Sequence, residues 1–194
     1  MLSRLVERKG ISDVIEALRL LPNAELLIAG GPTSASLAQD FEARRLEQIA
    51  QDMGLGERVH FLGRVGREEI PSLLRSADVV ACVPWYEPFG MVPLEAMACG
   101  IPVVASSVGG LIDTVVDGVT GFHVASRSPI ALAGAVRSLL ENNELRMHFG
   151  QAGRRRAVRR YGWNRIANDT LDVYGQVLAE YRTGMKKQTR AFTN

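Results

Sequence analysis

Residues 78–106 read DVVACVPWYEPFGMVPLEAMACGIPVVAS. Two short apolar runs, 78–84 and 101–106, enclose a segment with two acids, Glu87 and Glu95, and turn residues Pro88, Gly90 and Pro93. Runs of this kind, continuously apolar and only a few residues long, read as strands covered on both faces. Pro88 drives Glu87 toward an extended conformation, and Gly90 permits a tight turn. Pro93 suits the first turn of a helix, where its missing N–H costs little. The stretch therefore predicts strand, loop, helix and strand, with Glu87 in the loop past a strand's carboxyl end and Glu95 in the first turn of the helix.

The pattern extends in both directions. AELLIAG (24–30), RVHFLG (58–63) and GFHVA (121–125) read as further strands, and amphipathic segments lie between them at 12–21, 34–53, 67–77 and 110–116. Such alternation predicts an α/β fold, a Rossmann-like doubly wound parallel sheet with crossover helices. After Ala125 the strands stop and three helical segments follow. The predicted organisation is a domain over 1–162 whose first strand is abbreviated to Met1–Ser3, a crossover helix over 163–183 and a tail over 184–194. Leu171, Tyr174, Val177, Leu178 and Tyr181 recur at helical spacing, either to pack on the domain's own sheet or to stay exposed as an association surface.

Composition narrows the function. The 194 residues carry a formal net charge of +2, too small to point to nucleic acid as a partner. The basic run from Arg154 to Arg160 lacks interleaved aromatics and reads as a solvated helix face. Cys82 and Cys99 lie in apolar segments, as packed, reduced thiols would. The N-terminus has no apolar core of a signal peptide, and no run approaches the roughly 18–20 apolar residues of a membrane span. A cytoplasmic protein is expected. His60, His123 and His148 lack ligand spacing, no Asp-x-Asp motif ends a strand, and no phosphate-loop or dinucleotide fingerprint follows one, so no metal and no cofactor is expected.

The two acids are then to be explained. On one helix they would lie about 12 Å apart along the axis, which the prolines and glycine disfavour. As predicted, they flank backbone N–H groups of Phe89, Gly90, Met91 and Val92 at a helix start, an anion site at the sheet edge where open α/β folds bind ligands. Carboxylates accept charge-assisted hydrogen bonds from sugar and ribose hydroxyls. The set suits a phosphate flanked by two hydroxyl-bearing rings, as in a nucleotide sugar. The alternative is that Glu95 offsets the helix dipole and Glu87 is a surface residue. Arg4 and Lys9, in the turn RLVERKG, fall on the same edge and could neutralise a diphosphate without a divalent metal.

Taken together, RLVERKG, LLIAGGP, VHFLGRV, EPFGMVPLEAMACGIPVVAS, VGGLIDTVVDGVTGF and RYGWNRIANDTLDVY resemble the donor-binding domain of retaining glycosyltransferases of group 1 (family 4), which have the two-domain GT-B architecture. The resemblance implies transfer of a hexosyl unit from a nucleoside-diphosphate sugar, with retention at the anomeric carbon. It implies that Arg4 and Lys9 hold the donor diphosphate, that Glu87 contacts the donor sugar and that Glu95 binds the nucleotide ribose. Backbone groups of Phe89, Gly90, Met91 and Val92 would hold sugar and phosphate oxygens, and the main chain of Arg64 or Val65 would meet the base. Gly30 and Gly31 would permit close approach near the ligand. A sugar, lipid or small-molecule acceptor would bind an N-terminal acceptor domain that this sequence does not include. A nucleotide-sugar-binding module without transfer activity of its own is the alternative.

Overall fold

The computed structural model describes residues 1–191. Its contacts divide the chain into one unit from Met1 to Ala157 and a second from Val158 to Asn194.

The first unit carries every strand among the described residues: β1 (Leu26–Ala29), β2 (Val59–Gly63), β3 (Val80–Cys82), β4 (Val103–Ser106) and β5 (Gly121–Val124). All five fall inside the apolar runs read from the sequence. The helices are α1 (Ile11–Leu18), α2 (Phe41–Asp52), α3 (Ile70–Arg75), α4 (Met91–Ala98), α5 (Leu111–Thr114), α6 (Pro129–Glu141), α7 (Asn143–Tyr161), whose last turn belongs to the second unit, and α8 (Trp163–Ala191), which lies within that unit. All pairing is parallel, as crossover connections require.

The strands form two ladders, β1–β2 and β3–β4–β5. Besides β2, β1 meets Met1–Ser3, which make one parallel bridge, Leu2 to Ala29. The Ser3 N–H donates to the Ala29 carbonyl at 2.9 Å, and the Ala29 N–H donates to Met1 at 2.9 Å. The Met1 amine donates to the Leu27 carbonyl at 2.6 Å. Its nitrogen is buried, which pushes the group down from 8.0 to about 6, partly offset by the nearby Cys82 thiol.

The core fills the space under the helices. Ile11, Val14, Ile15 and Leu18 on α1, Leu132 and Leu139 on α6, and Val104 on β4 are all buried in it. Phe122 and Phe149 meet edge to face at 5.1 Å. The segment 34–53, predicted as one helix, is two pieces. A 3₁₀ helix over Ser34–Gln39 ends at Asp40, whose carboxylate accepts from the Ala43 N–H at 2.8 Å and caps α2. Aspartate at an N-cap competes with helix continuation, so the break is local chemistry.

In the second unit α8 runs to Ala191, through most of the stretch predicted as a tail; residues 192–194 lie outside the described residues. Its apolar stripe is exposed: Leu178, the most covered of the five, is 55 % accessible. Arg165 and Asp169, one helical turn apart, pair at 2.8 Å.

Candidate functional site

The carboxyl end of β3 leads into Val83–Pro84 and then the loop that carries Glu87. Two features seat this loop. The buried Ser106 hydroxyl donates to the Pro84 carbonyl at 2.6 Å, tying the exit of β3 to the end of β4. Farther on, the loop rests on Gly109–Gly110. The Gly110 N–H donates to the Glu87 carbonyl at 2.9 Å. A Cβ on Gly109 would stand 2.2 Å from that carbonyl oxygen, and Gly109 itself has φ +48. These two glycines were not among the predicted site residues; the signal was the GG pair opening the predicted 110–116 helix.

Gly90, at φ +94, turns the chain into α4. The helix begins at Met91, so Pro93 is its third residue. Glu95 is the fifth, in the second turn rather than the predicted first. The helix starts early because the left-handed glycine already directs the chain into it, and Pro93 still lacks an N–H only where no intrahelical partner exists.

At this end of the sheet a cavity of about 240 Å³ is walled by Arg4, Lys9, Glu87, Phe89, Gly90, Met91 and Val92, with Met1–Ser3 and Cys82 among its remaining lining. The structure thus brings together seven of the predicted residues, drawn from segments some eighty positions apart. Its volume falls below the roughly 300–1,000 Å³ of a drug-sized ligand pocket, room for a diphosphate-sized part of a larger ligand. Burial pushes the Cys82 thiol up to about 12, with Lys9 opposing and Glu87 reinforcing the shift, so it stays protonated and is not a nucleophile.

Lys9 Nζ donates to Glu87 Oε2 at 2.6 Å, with the side chains 17 % and 18 % exposed. Burial acts to raise the Glu87 carboxyl. The Lys9 ammonium and the N–H groups of Phe89 and Gly90 outweigh it, and the net shift is downward. Glu87 is therefore a committed anion. Arg4 is exposed on the same wall and has no ion-pair partner among the described residues.

Gly30, Gly31, Val65 and Glu95 do not line this cavity. The close approach that the two glycines permit is to the first loop: a Cβ on Gly30 would stand 1.8 Å from the Ser3 carbonyl oxygen, and one on Gly31 would stand 2.7 Å from Leu5 Cγ. They seat the segment that carries Arg4. The Arg64 N–H donates to the Pro32 carbonyl at 2.7 Å. Glu95 is half-buried, and burial raises its carboxyl against the opposing charge of Arg67. Arg67, exposed in the turn after β2, was not foreseen as a site residue; a lone arginine in GRVGREE carries no spacing signal.

Parallel ladders joined by crossover helices, with charged side chains gathered at the carboxyl ends of the strands, define a domain of the Rossmann-like α/β class. Residues 1–156 match the family described as Glycosyl transferases group 1, and the chain belongs to that family. It is 38 % identical over 164 residues to a D-inositol 3-phosphate glycosyltransferase of Salinispora tropica, covering 84 % of this chain and 33 % of that protein. Among solved structures, sucrose-phosphate synthase from Thermosynechococcus elongatus superposes with a TM-score of 0.84 at 36 % identity, over 92 % of this chain and 45 % of the other. Anabaena Alr3699/HepE in complex with UDP-glucose gives 0.82 at 30 % identity, over 90 % of this chain and 47 % of the other. The chain thus spans less than half the length of these relatives. Among the described residues no helix is long and apolar enough to cross a membrane.

Proposed function

We propose that this chain is the donor-binding part of a retaining glycosyltransferase that moves a hexosyl unit from a nucleoside-diphosphate sugar to an acceptor. The observation that carries the reading is the convergence of Arg4, Lys9, Glu87 and the Phe89–Val92 loop on one cavity at the strand ends. Family membership and the likeness to a protein solved with UDP-glucose support it.

On this reading Arg4 and Lys9 take the diphosphate oxygens and stabilise charge on the departing nucleotide, with no cofactor and no divalent metal required. Loop N–H groups add fixed dipoles at the helix start. Glu87 orients the sugar through its hydroxyls, and Glu95 takes the ribose. No group in the cavity is placed as a general base, so catalysis rests on positioning and leaving-group stabilisation. The acceptor, a sugar, lipid or small molecule, docks on the part of the enzyme that lies beyond this chain. The reaction belongs in the cytoplasm.

A second reading is favoured by the coverage: at 33–47 % of its relatives' length, the chain binds nucleotide sugars but transfers nothing alone. Both readings meet the same test. Titration with UDP, GDP and ADP by calorimetry in EDTA should give metal-free binding of one nucleotide, weakened about tenfold or more in Glu95→Ala and Lys9→Ala. Equal affinity in wild type and Glu95→Ala would sink the ribose assignment. Appreciable transfer by the chain alone, assayed with donor and acceptor, would refute the second reading.

A further inference from the structure

Lys9 and the first N–H groups of the loop, the natural partners of a phosphate, are already engaged by an anion of the protein. Lys9 donates to Glu87 Oε2 at 2.6 Å, and the N–H groups of Phe89 and Gly90 face the same carboxylate. All of them border the cavity, and Arg4 stands exposed on its wall. We propose that Glu87 is a built-in competitor for the diphosphate subsite, occupying Lys9 and the loop until ligand displaces it, and that this competition makes the site prefer a sugar-capped diphosphate over the free nucleoside diphosphate.

The inference rests on the reading of this cavity as a diphosphate site. One ammonium neutralises one anion, so a phosphate arriving at Lys9 must share or take it from Glu87. Arg4 makes the first capture possible because it is not committed to an acid. The displaced carboxylate stays in the same small cavity, beside the phosphate. Its repulsion grows with ligand charge, and a free diphosphate adds close to one negative charge at the terminal phosphate near neutral pH, where second phosphate ionisations fall. A sugar on that phosphate removes the extra charge and offers hydroxyls that can donate to the displaced carboxylate. Glu87 thus penalises the spent nucleotide and rewards the donor. Product release gains from the same repulsion.

Titration of the full 194-residue chain with UDP and with UDP-glucose separates the outcomes. In Glu87→Gln, UDP should bind about tenfold more tightly, UDP-glucose should gain much less, and the preference for the sugar nucleotide should shrink at least severalfold. Glu87→Asp, which keeps the charge, should retain most of the preference. UDP binding that is unchanged or weaker in Glu87→Gln overturns the proposal while leaving the diphosphate reading intact. Failure of the folded wild-type chain to bind either nucleotide overturns that reading instead. A measurement on the wild type alone covers a variant that does not fold: saturating UDP should move the ¹³C resonance of the Glu87 carboxyl and the amide signals of Phe89 and Gly90. A carboxyl resonance that stays fixed at saturation overturns the competition.

Discussion

Glu87 and Glu95 stand eight residues apart in one loop–helix segment, and burial pushes both carboxyls upward. Their outcomes are opposite. In the loop, a lysine at 2.6 Å and two backbone N–H groups reverse the effect, and Glu87 ionises more readily than an ordinary glutamate. In the second turn of α4, only the charge of Arg67 opposes burial, and Glu95 holds its proton longer. A loop before a helix start can aim N–H groups at a side chain, whereas those within the helix are spent on its own carbonyls. The difference teaches that placement on the loop or within the helix decides how far the protein itself stabilises a buried carboxylate.

The comparison breaks most severely if the loop is dislodged. Gly109→Val would place a branched side chain where even a Cβ stands 2.2 Å from the Glu87 carbonyl, in a left-handed conformation. We expect a loss of about 3 kcal/mol in urea unfolding and loss of the Lys9–Glu87 pair; stability within 0.5 kcal/mol of wild type, as about the spread of neutral surface changes, would show that the loop does not depend on that seat. Lys9→Ala leaves the loop in place but strips Glu87 of its cation. It should cost about 1–2 kcal/mol, below the full penalty of a deeply buried pair because water reaches both groups. An unchanged urea midpoint would mean that the N–H groups alone satisfy the carboxylate.

The smallest effect is the sharpest test of the contrast. Because its folded value lies below the unfolded one, Glu87 contributes stability that is present above the ordinary glutamate range and lost as the pH falls through the folded value. Glu95 runs the other way. Its folded value is raised, so the native state holds the proton and stability declines as the pH rises from the ordinary glutamate value through the folded one. Glu87→Gln should therefore flatten the acid-side loss of stability, and Glu95→Gln should remove the decline at higher pH. Each change should amount to less than about 1 kcal/mol, given solvent screening. Parallel pH profiles for the two variants would erase the distinction drawn here.

The sequence exposed much of this arrangement because its signals are local. Five apolar runs mark five strands, and Pro88, Gly90 and Pro93 mark a loop entering a helix. The likeness of LLIAGGP, VHFLGRV and EPFGMVPLE to a known family supplied the roles that these residues are expected to play. Other features depend on contacts between segments distant in sequence and carry no periodic signature. The Lys9–Glu87 pair joins residues 78 positions apart. The seating of the loop on Gly109–Gly110 and of the first turn on Gly30–Gly31 depends on how backbones meet in space. The break at Asp40 was readable in principle, since an aspartate three residues before Ala43 is a capping signal, but the helical pattern on both sides of it masks the stop.

The segment before Arg4 is held to β1 through backbone alone: Ser3 donates to Ala29, and a Cβ on Gly30 would stand 1.8 Å from the Ser3 carbonyl oxygen. Contacts of this kind fix the path of a chain without reading its side chains. Conservative changes at Leu2 and Ser3 should therefore leave Arg4 on the cavity wall, whereas any side chain at Gly30 would press on the strand end and carry the guanidinium away with it. The position of a charge is thus encoded in a residue that has none.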